Sequence, residues 1–122
     1  MLKFVKFTEL PVADQDRAVS FYTEKLGLQV AQDEPYKDDW RWIELAVPGA
    51  QTHILLTAQR GDEKSDTPHL VFICDDVDAA YRKLSANGVV FTKEPTTAPW
   101  NGGQRFAQLR DSEGNAIVIS TS

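Results

Sequence analysis

The fold is decided by residues 11–28, PVADQDRAVSFYTEKLGL. Asp14 is a natural N-cap, because its carboxylate accepts hydrogen bonds from the free backbone N–H groups in the first turn of a helix. Apolar residues then recur at every fourth position, at Ala18, Tyr22 and Leu26. Gly27 follows, and glycine commonly ends a helix because it adopts a positive φ angle without steric cost. These signals predict an amphipathic helix between Asp14 and Gly27.

A second helix with the same signals is predicted roughly 60 residues further along the chain. It begins after Asp75 or Asp76, runs through VDAAYRKLSAN and ends at Gly88. Its apolar positions have helical spacing, at Val77, Ala80, Tyr81 and Leu84. Both helices therefore begin at aspartate, where the positive end of the helix dipole favours negative charge, and end at glycine.

The other apolar runs are rich in β-branched and aromatic residues, which is typical of strands. In chain order they are LKFVKFTEL, LQVAQ, WRWIELAV, THILLTA, HLVFIC, VVFTK, QRFAQLRD and AIVIST. Residues 48–50 and 111–115 have the composition of hairpin turns, and the polar stretch 58–68 is the best candidate for a linker.

The order of elements is strand, helix and three strands, and it occurs twice. We therefore predict one domain, 1–122, built from module 1 at about 1–57, linker 58–68 and module 2 at about 69–122. Each half is too small to bury enough apolar surface alone, so the modules must pack together or exchange with a partner chain. The last hairpins of the two halves align Arg41 with Arg105, Trp42 with Phe106 and Glu44 with Gln108.

The run 11–28, together with DSEGNAIVI at 111–119, resembles the vicinal oxygen chelate superfamily. That superfamily includes glyoxalase I, extradiol dioxygenases, fosfomycin-resistance enzymes and bleomycin-binding proteins. The resemblance covers essentially the whole chain and implies an α+β fold. In this fold two βαβββ modules in tandem form a curled mixed sheet around a pocket, which is completed in a homodimer. The fold hosts both enzymes and plain binding proteins, so it does not by itself determine the activity.

The resemblance also implies where a divalent metal would be held in a catalytic member. The four ligand places fall on Phe7, His53, His69 and Val118, and neither phenylalanine nor valine binds metal. Two imidazoles alone are an incomplete site, since catalytic zinc generally has three protein ligands. No metal is therefore expected, and the alternative is an atypical set of His69, His53 and Glu44. A lone histidine is more often an ordinary strand residue than a metal ligand, and this applies to both His53 and His69.

Strand alternation predicts which side chains line the pocket, because every second residue of a strand points to the same face. Ile43, Leu45 and Val47 would pack on the helices, while the intervening residues point into the pocket. The predicted ligand-binding residues are Phe7, Trp42, Glu44, His69, Trp100, Phe106 and Gln108. Arg110 is a further candidate, on the same face as the last two. Such an aromatic pocket with few polar groups suits a small planar or amphipathic ligand.

Tryptophan occurs three times, and two of these residues have informative neighbours. Trp100 lies in the loop PTTAPWNGG, which we predict to be a mobile flap with an aromatic tip. Trp40 follows Asp38 and Asp39, so an aromatic sandwich beside carboxylates would attract a positively charged ligand. The alternative is that Trp40 or Trp100 packs in a subunit interface, where tryptophan is also enriched.

Composition excludes several classes of protein. The net charge of −5 argues against nucleic acid and anionic membrane surfaces as partners. Cys74 is the single cysteine, so there is no internal disulfide, and the neighbouring carboxylates should raise the pKa of its thiol and keep it unreactive. The N-terminal residues lack the pattern of a signal peptide and no apolar run is long enough to span a membrane, so we expect a cytoplasmic protein.

Three functions follow as hypotheses. The first is a homodimeric, metal-independent protein that binds a small aromatic or cationic molecule, as bleomycin-resistance proteins do. The alternative is a divalent-metal-dependent lyase or dioxygenase of the glyoxalase or extradiol type with the atypical ligand set. The third is a metal-free enzyme with Glu44 as general base, since an apolar pocket raises the pKa of a carboxyl group.

Overall fold

The computed structural model describes residues 1–61, 65–100 and 102–122. The chain divides into two compact units, one ending at residue 62 and the other beginning at residue 63. Each unit has the same element order, strand, helix and three strands, so the predicted α+β fold of two βαβββ modules in tandem is confirmed. No helix in the described part of the chain has the length and apolar character that crossing a membrane requires.

The first unit is a four-stranded mixed sheet with one helix. Its strand order is β1-β4-β3-β2, in which β1 and β4 are parallel and the other pairs are antiparallel. The helix α1 continues without a break into a π-helical segment. The elements are β1 (Phe7–Val12), α1 (Gln15–Ser20), the π-helical segment (Phe21–Lys25), β2 (Gln29–Lys37), β3 (Trp40–Ala46) and β4 (His53–Ala58).

The second unit repeats this topology. Its strand order is β5-β8-β7-β6. The neighbouring strands β5 and β8 are parallel, and the other two pairs are antiparallel. The elements are β5 (Leu70–Ile73), α2 (Val77–Ala86), β6 (Val90–Thr97), β7 (Arg105–Arg110) and β8 (Ala116–Ser120). Part of the predicted linker, residues 62–64, lies outside the described residues.

The helix signals read from the sequence are confirmed. The Asp14 carboxylate accepts a hydrogen bond from the Arg17 backbone N–H at 3.0 Å. Asp76, rather than Asp75, caps α2, and its carboxylate accepts from the Ala79 N–H at 2.9 Å. The glycines that follow the two helices, Gly27 and Gly88, have φ angles of 78° and 85°.

Strand lengths differ from the prediction at both outer edges. The sequence suggested short runs, whereas β2 extends through Pro35 and β6 through Pro95. Proline has no N–H to donate, so it is tolerated in an edge strand whose outer side has no partner. By contrast, β1 is shorter at its start than the predicted run, because it begins only at Phe7 and the six residues before it are exposed.

The two units have an equivalent ion pair. In the first unit Arg41 of β3 contacts Asp16 in the first turn of α1 at 2.8 Å. In the second unit Arg105 of β7 contacts Asp78 in the first turn of α2, also at 2.8 Å. Arg41 and Arg105, which the sequence aligns, therefore have equivalent positions in the two units. Each ion pair connects a central strand to the helix of its own unit.

Alternation along β3 follows the prediction except at its end. Ile43 and Leu45 are fully buried, and Ala107 and Leu109 of β7 are equally buried in the second unit. Val47 was predicted to belong to this set and does not, because β3 ends before it and its side chain is 41% exposed.

The cap of α2 gives the first testable prediction. Replacing Asp76 by alanine leaves the Ala79 N–H without its side-chain acceptor, so we expect the free energy of unfolding to fall by about 1 kcal/mol. The matched control is Asp75→Ala, which removes a carboxylate one residue before the cap. Urea denaturation of the three proteins measures both effects, and equal losses would contradict the assignment of Asp76 as the N-cap.

Candidate functional site

One face of the first sheet combines aromatic rings with a buried carboxylate. Phe7 of β1 pairs with His53 of β4, and Glu44 of β3 pairs with Leu55 of β4. Paired residues share a face, and Trp42 is two residues from Glu44 on the same strand. We call the face that bears Phe7, Trp42, Glu44 and His53 the Glu44 face.

The carboxylate of Glu44 is almost completely buried, with its side chain only 2% exposed. One oxygen, Oε2, accepts a hydrogen bond from Trp42 Nε1 at 2.8 Å. The other, Oε1, lies 2.9 Å from Nδ1 of His53. A buried charge is costly unless it is paired and hydrogen-bonded, and here each oxygen has its own partner. Sequence reasoning selected all three side chains, but it did not predict these contacts.

The ionisation of Glu44 differs from the sequence expectation. Burial alone raises the pKa of Glu44, but the hydrogen bonds from Trp42 and His53 and the electrostatic effects of the nearby His53 and Lys6 side chains outweigh it. The pKa of Glu44 is therefore lowered, and the expectation that the pocket would raise it was wrong. A carboxylate with a lowered pKa is a weaker base, so Glu44 acts here as a fixed negative charge.

Three aromatic rings meet at Trp42, the residue that donates a hydrogen bond to this carboxylate. The centroid of Trp42 lies 5.8 Å from that of Phe7 and 5.3 Å from that of Tyr36, both in edge-to-face geometry. We call Phe7, Tyr36 and Trp42 the aromatic cluster. Tyr36 is 55% exposed on the edge strand β2, and it was not among the predicted pocket residues because the predicted strand ended before Pro35.

Trp40 has different surroundings from Trp42. It lines a cavity of about 360 Å³ where β1 and β4 end and β3 begins. The other lining residues are Val12, Ala13, Ala58, Gln59 and Gly61. The neighbouring turn residues Asp38 and Asp39 have positive φ angles of 48° and 63°. No ion pair of either carboxylate is seen within the described residues.

The second unit holds the remaining predicted ligand residues. Trp100 is 58% exposed, and its ring centroid lies 6.1 Å from that of Phe106. Gln108 pairs with Val118 across β7 and β8, and His69 is exposed just before β5, where its backbone N–H donates to Ala116. The predicted flap around Trp100 includes residue 101, which lies outside the described residues.

Arg110 has a role that the sequence did not predict. Its guanidinium donates hydrogen bonds to the carbonyl oxygens of Ser65 at 2.9 Å and Gly114 at 3.2 Å, and it pairs with the Asp66 carboxylate. Arg110 therefore holds the segment before β5 against the turn between β7 and β8. The guanidinium of Arg110, which was predicted as a further pocket residue, is therefore already engaged in these contacts.

The three residues of the metal alternative come from both units. Glu44 and His53 are in contact in the first unit, whereas His69 belongs to the second. Across residues 1–61, 65–100 and 102–122, no group of three or more His, Cys, Asp or Glu side chains is arranged to hold a metal ion.

As predicted, the pKa of the Cys74 thiol is raised, by burial and by Asp75 and Asp76.

The lowered pKa of Glu44 predicts how its contribution to stability varies with pH. Because this pKa lies below the ordinary carboxyl value, the ionised group stabilises the fold above that value, and the contribution is lost as pH falls through the folded-state pKa. Glu44→Gln should therefore destabilise most near neutral pH, and its difference from wild type should shrink between about pH 5 and about pH 2.

Urea denaturation at a series of pH values measures this difference. The matched control is Glu24→Gln, an exposed carboxylate on the π-helical segment, for which the difference should be small throughout. A Glu44→Gln difference that grows as the solution becomes more acidic would contradict the prediction.

Comparisons with known proteins agree with this architecture. The Bacillus subtilis (strain 168) protein YetH is 33% identical over 122 residues, and the match covers 98% of both chains. The structure of TnmS3, an antibiotic binding protein from Streptomyces sp. CB03234, is 30% identical with a TM-score of 0.82, and the match covers 98% of this chain and 96% of that one.

A second solved structure, from Sphaerobacter thermophilus DSM 20745, is 29% identical with a TM-score of 0.86, and the match covers 99% of this chain and 98% of that one. It is a member of the glyoxalase/bleomycin resistance protein/dioxygenase superfamily. The model of that same superfamily matches residues 4–119. The resemblance seen in the sequence is thus confirmed, and the chain belongs to the glyoxalase/bleomycin resistance protein/dioxygenase superfamily.

Proposed function

We propose that the Glu44 face binds a small aromatic or cationic molecule without the help of a metal. The observation that carries this proposal is the aromatic cluster centred on Trp42, whose indole N–H is hydrogen-bonded to the buried Glu44 carboxylate. Aromatic rings offer large contact area to planar molecules, and their faces attract cations. Tyr36 is the most exposed member of the cluster, so it is the first ring that an approaching ligand would meet.

The charge of the site favours a positive group over a negative one. The Glu44 carboxylate keeps its charge because its pKa is lowered, and it lies in a poorly solvated position where its field is weakly screened. Glu34 on the neighbouring strand β2 pairs with Trp42 and adds a second carboxylate at the exposed side. Lys37, whose Nζ lies 5.4 Å from the centroid of the Tyr36 ring, partly offsets these charges, and the buried Glu44 carboxylate is the charge that a positive group on the ligand would approach.

The comparison with TnmS3 supports small-molecule binding. That protein is an antibiotic binding protein, and it shares the fold with this chain along nearly its whole length. We extend the proposal to the second unit, where Trp100 and Phe106 form an aromatic pair and His69 and Gln108 supply polar groups. Homodimer formation and a cytoplasmic location remain predictions from the sequence.

A metal-dependent lyase or dioxygenase is the second candidate. The superfamily includes both classes of enzyme, and Glu44 and His53 together offer an oxygen and a nitrogen donor. A catalytic zinc site needs one more protein ligand, and the sequence alternative supplies it as His69. Elemental analysis tests this candidate: a stoichiometric divalent metal in protein purified without chelator, lost on His69→Ala, would overturn the metal-independent proposal.

The binding proposal is tested by a thermal-shift screen of aromatic compounds with and without a positive charge, followed by titration calorimetry of each compound that stabilises the protein. We expect Trp42→Ala to weaken binding on the order of tenfold, since it removes both ring contact and buried apolar area. Trp40→Ala is the matched control, because it removes a tryptophan from the same strand that lines a different cavity. Equal losses in the two variants would contradict binding at the aromatic cluster.

A further inference from the structure

We propose that Glu44 fixes the tautomer of His53, so that Nε2 of the imidazole is a hydrogen-bond acceptor for the ligand. The ligand of the Glu44 face is then an aromatic molecule that carries a hydroxyl or N–H donor on its ring. This inference rests on the proposed function and names the chemical class that the same site selects.

The tautomer follows from the chemistry of the contact. An ionised carboxylate has only acceptor atoms, so the hydrogen between Glu44 Oε1 and His53 Nδ1 must be carried by Nδ1 at the observed 2.9 Å. A neutral imidazole carries one N–H, and its other nitrogen has a lone pair. With Nδ1 as the donor, Nε2 is the acceptor.

Of the two side chains in this contact, His53 is the one that a ligand can reach. The side chain of Glu44 is 2% exposed, while that of His53 is 29% exposed. The N–H of Trp42 is already donated to Oε2 of Glu44. Within the described part of the chain no residue is hydrogen-bonded to Nε2. The buried carboxylate therefore acts on a ligand through the ring that it orients.

The aromatic cluster places a ligand next to this acceptor. Phe7 is the direct cross-strand partner of His53, and the Phe7 ring contacts that of Trp42. Side chains that face each other across two strands lie close enough to touch the same small molecule. A planar ligand that packs on one of these two rings can present a ring edge to Nε2. A hydroxyl at that edge can donate, whereas an ether at the same position cannot.

Selectivity comes from the cost of an unpaired acceptor. A ligand without a donor would cover Nε2 and remove water from it without replacing the hydrogen bond. Sites built to bond a hydroxyl discriminate in this way against analogues that lack it. We therefore expect a phenol to bind more tightly than its methyl ether, although the ether has the larger apolar surface.

The experiment compares 2-naphthol with 2-methoxynaphthalene by titration calorimetry on the full chain. At about pH 8 the naphthol should bind about threefold to tenfold more tightly, the effect of one neutral hydrogen bond. His53→Phe retains a flat ring and removes the acceptor, so the preference for naphthol should disappear.

Glu44→Gln is the sharper variant. A glutamine amide has an N–H to donate, and donation to Nδ1 of His53 would move the imidazole proton to Nε2 and make that atom a donor. The preference should then fall to nothing or favour the ether, while the side chain keeps its size.

The tautomer itself is measured without any ligand by proton-coupled nitrogen-15 NMR of the two imidazoles. The chain has two histidines, and exposed His69 is the internal control in the same spectrum. We expect the Nδ1–H tautomer for His53 in the wild-type protein and a shift towards Nε2–H in Glu44→Gln. A wild-type His53 in the Nε2–H tautomer would overturn the inference whatever the variants do.

The outcomes also separate this inference from the function on which it rests. Equal affinity for the two probes, with both weakened by Trp42→Ala, would overturn the acceptor role and leave aromatic binding intact. Failure of both probes to bind would overturn both. A preference for naphthol that survives His53→Phe would assign the acceptor to another group and so overturn the inference.

Discussion

The buried charge of Glu44 is the constraint on which the first unit depends. An ionised carboxylate that is 2% exposed requires a donor for each oxygen, and these donors come from Trp42 on its own strand and His53 on the next. A slip of one residue between β3 and β4 would turn Glu44 to the opposite face, among the buried aliphatic side chains. One electrostatic requirement therefore fixes both the register of the sheet and the composition of the site.

The two units keep the same framework but differ on this face. Each has its helix-capping aspartate and its ion pair between the helix and the central strand, so the repeat is retained where it determines the fold. The sequence aligns Glu44 with Gln108, which carries no charge. Of the two units, the first alone therefore has a buried carboxylate at this position.

The sequence predicted features that depend on neighbours in the chain. Asp14, Gly27 and Gly88 mark helix ends through local geometry, and alternation placed Ile43 opposite Glu44 without knowledge of the strand pairing. The family resemblance added the topology. Features that depend on distant partners were not predicted correctly. Tyr36 was missed because β2 is an edge strand, which tolerates Pro35 and continues past it. The direction of the pKa shift of Glu44 was wrong because its contacts with Trp42 and His53 depend on the folded structure.

The lowered pKa of Glu44 changes which chemistry the site favours. A general base needs a pKa near the working pH, and the pairs that stabilise ionised Glu44 move its pKa in the other direction. The same pairs hold Trp42 and His53 in place before a ligand arrives, which reduces the entropy lost on binding. A carboxylate that is a poor proton acceptor but a rigid anchor for two recognition side chains supports binding better than catalysis. Under the proposed function, the polar core of the site would orient the ligand, and the aromatic cluster would supply most of the contact area.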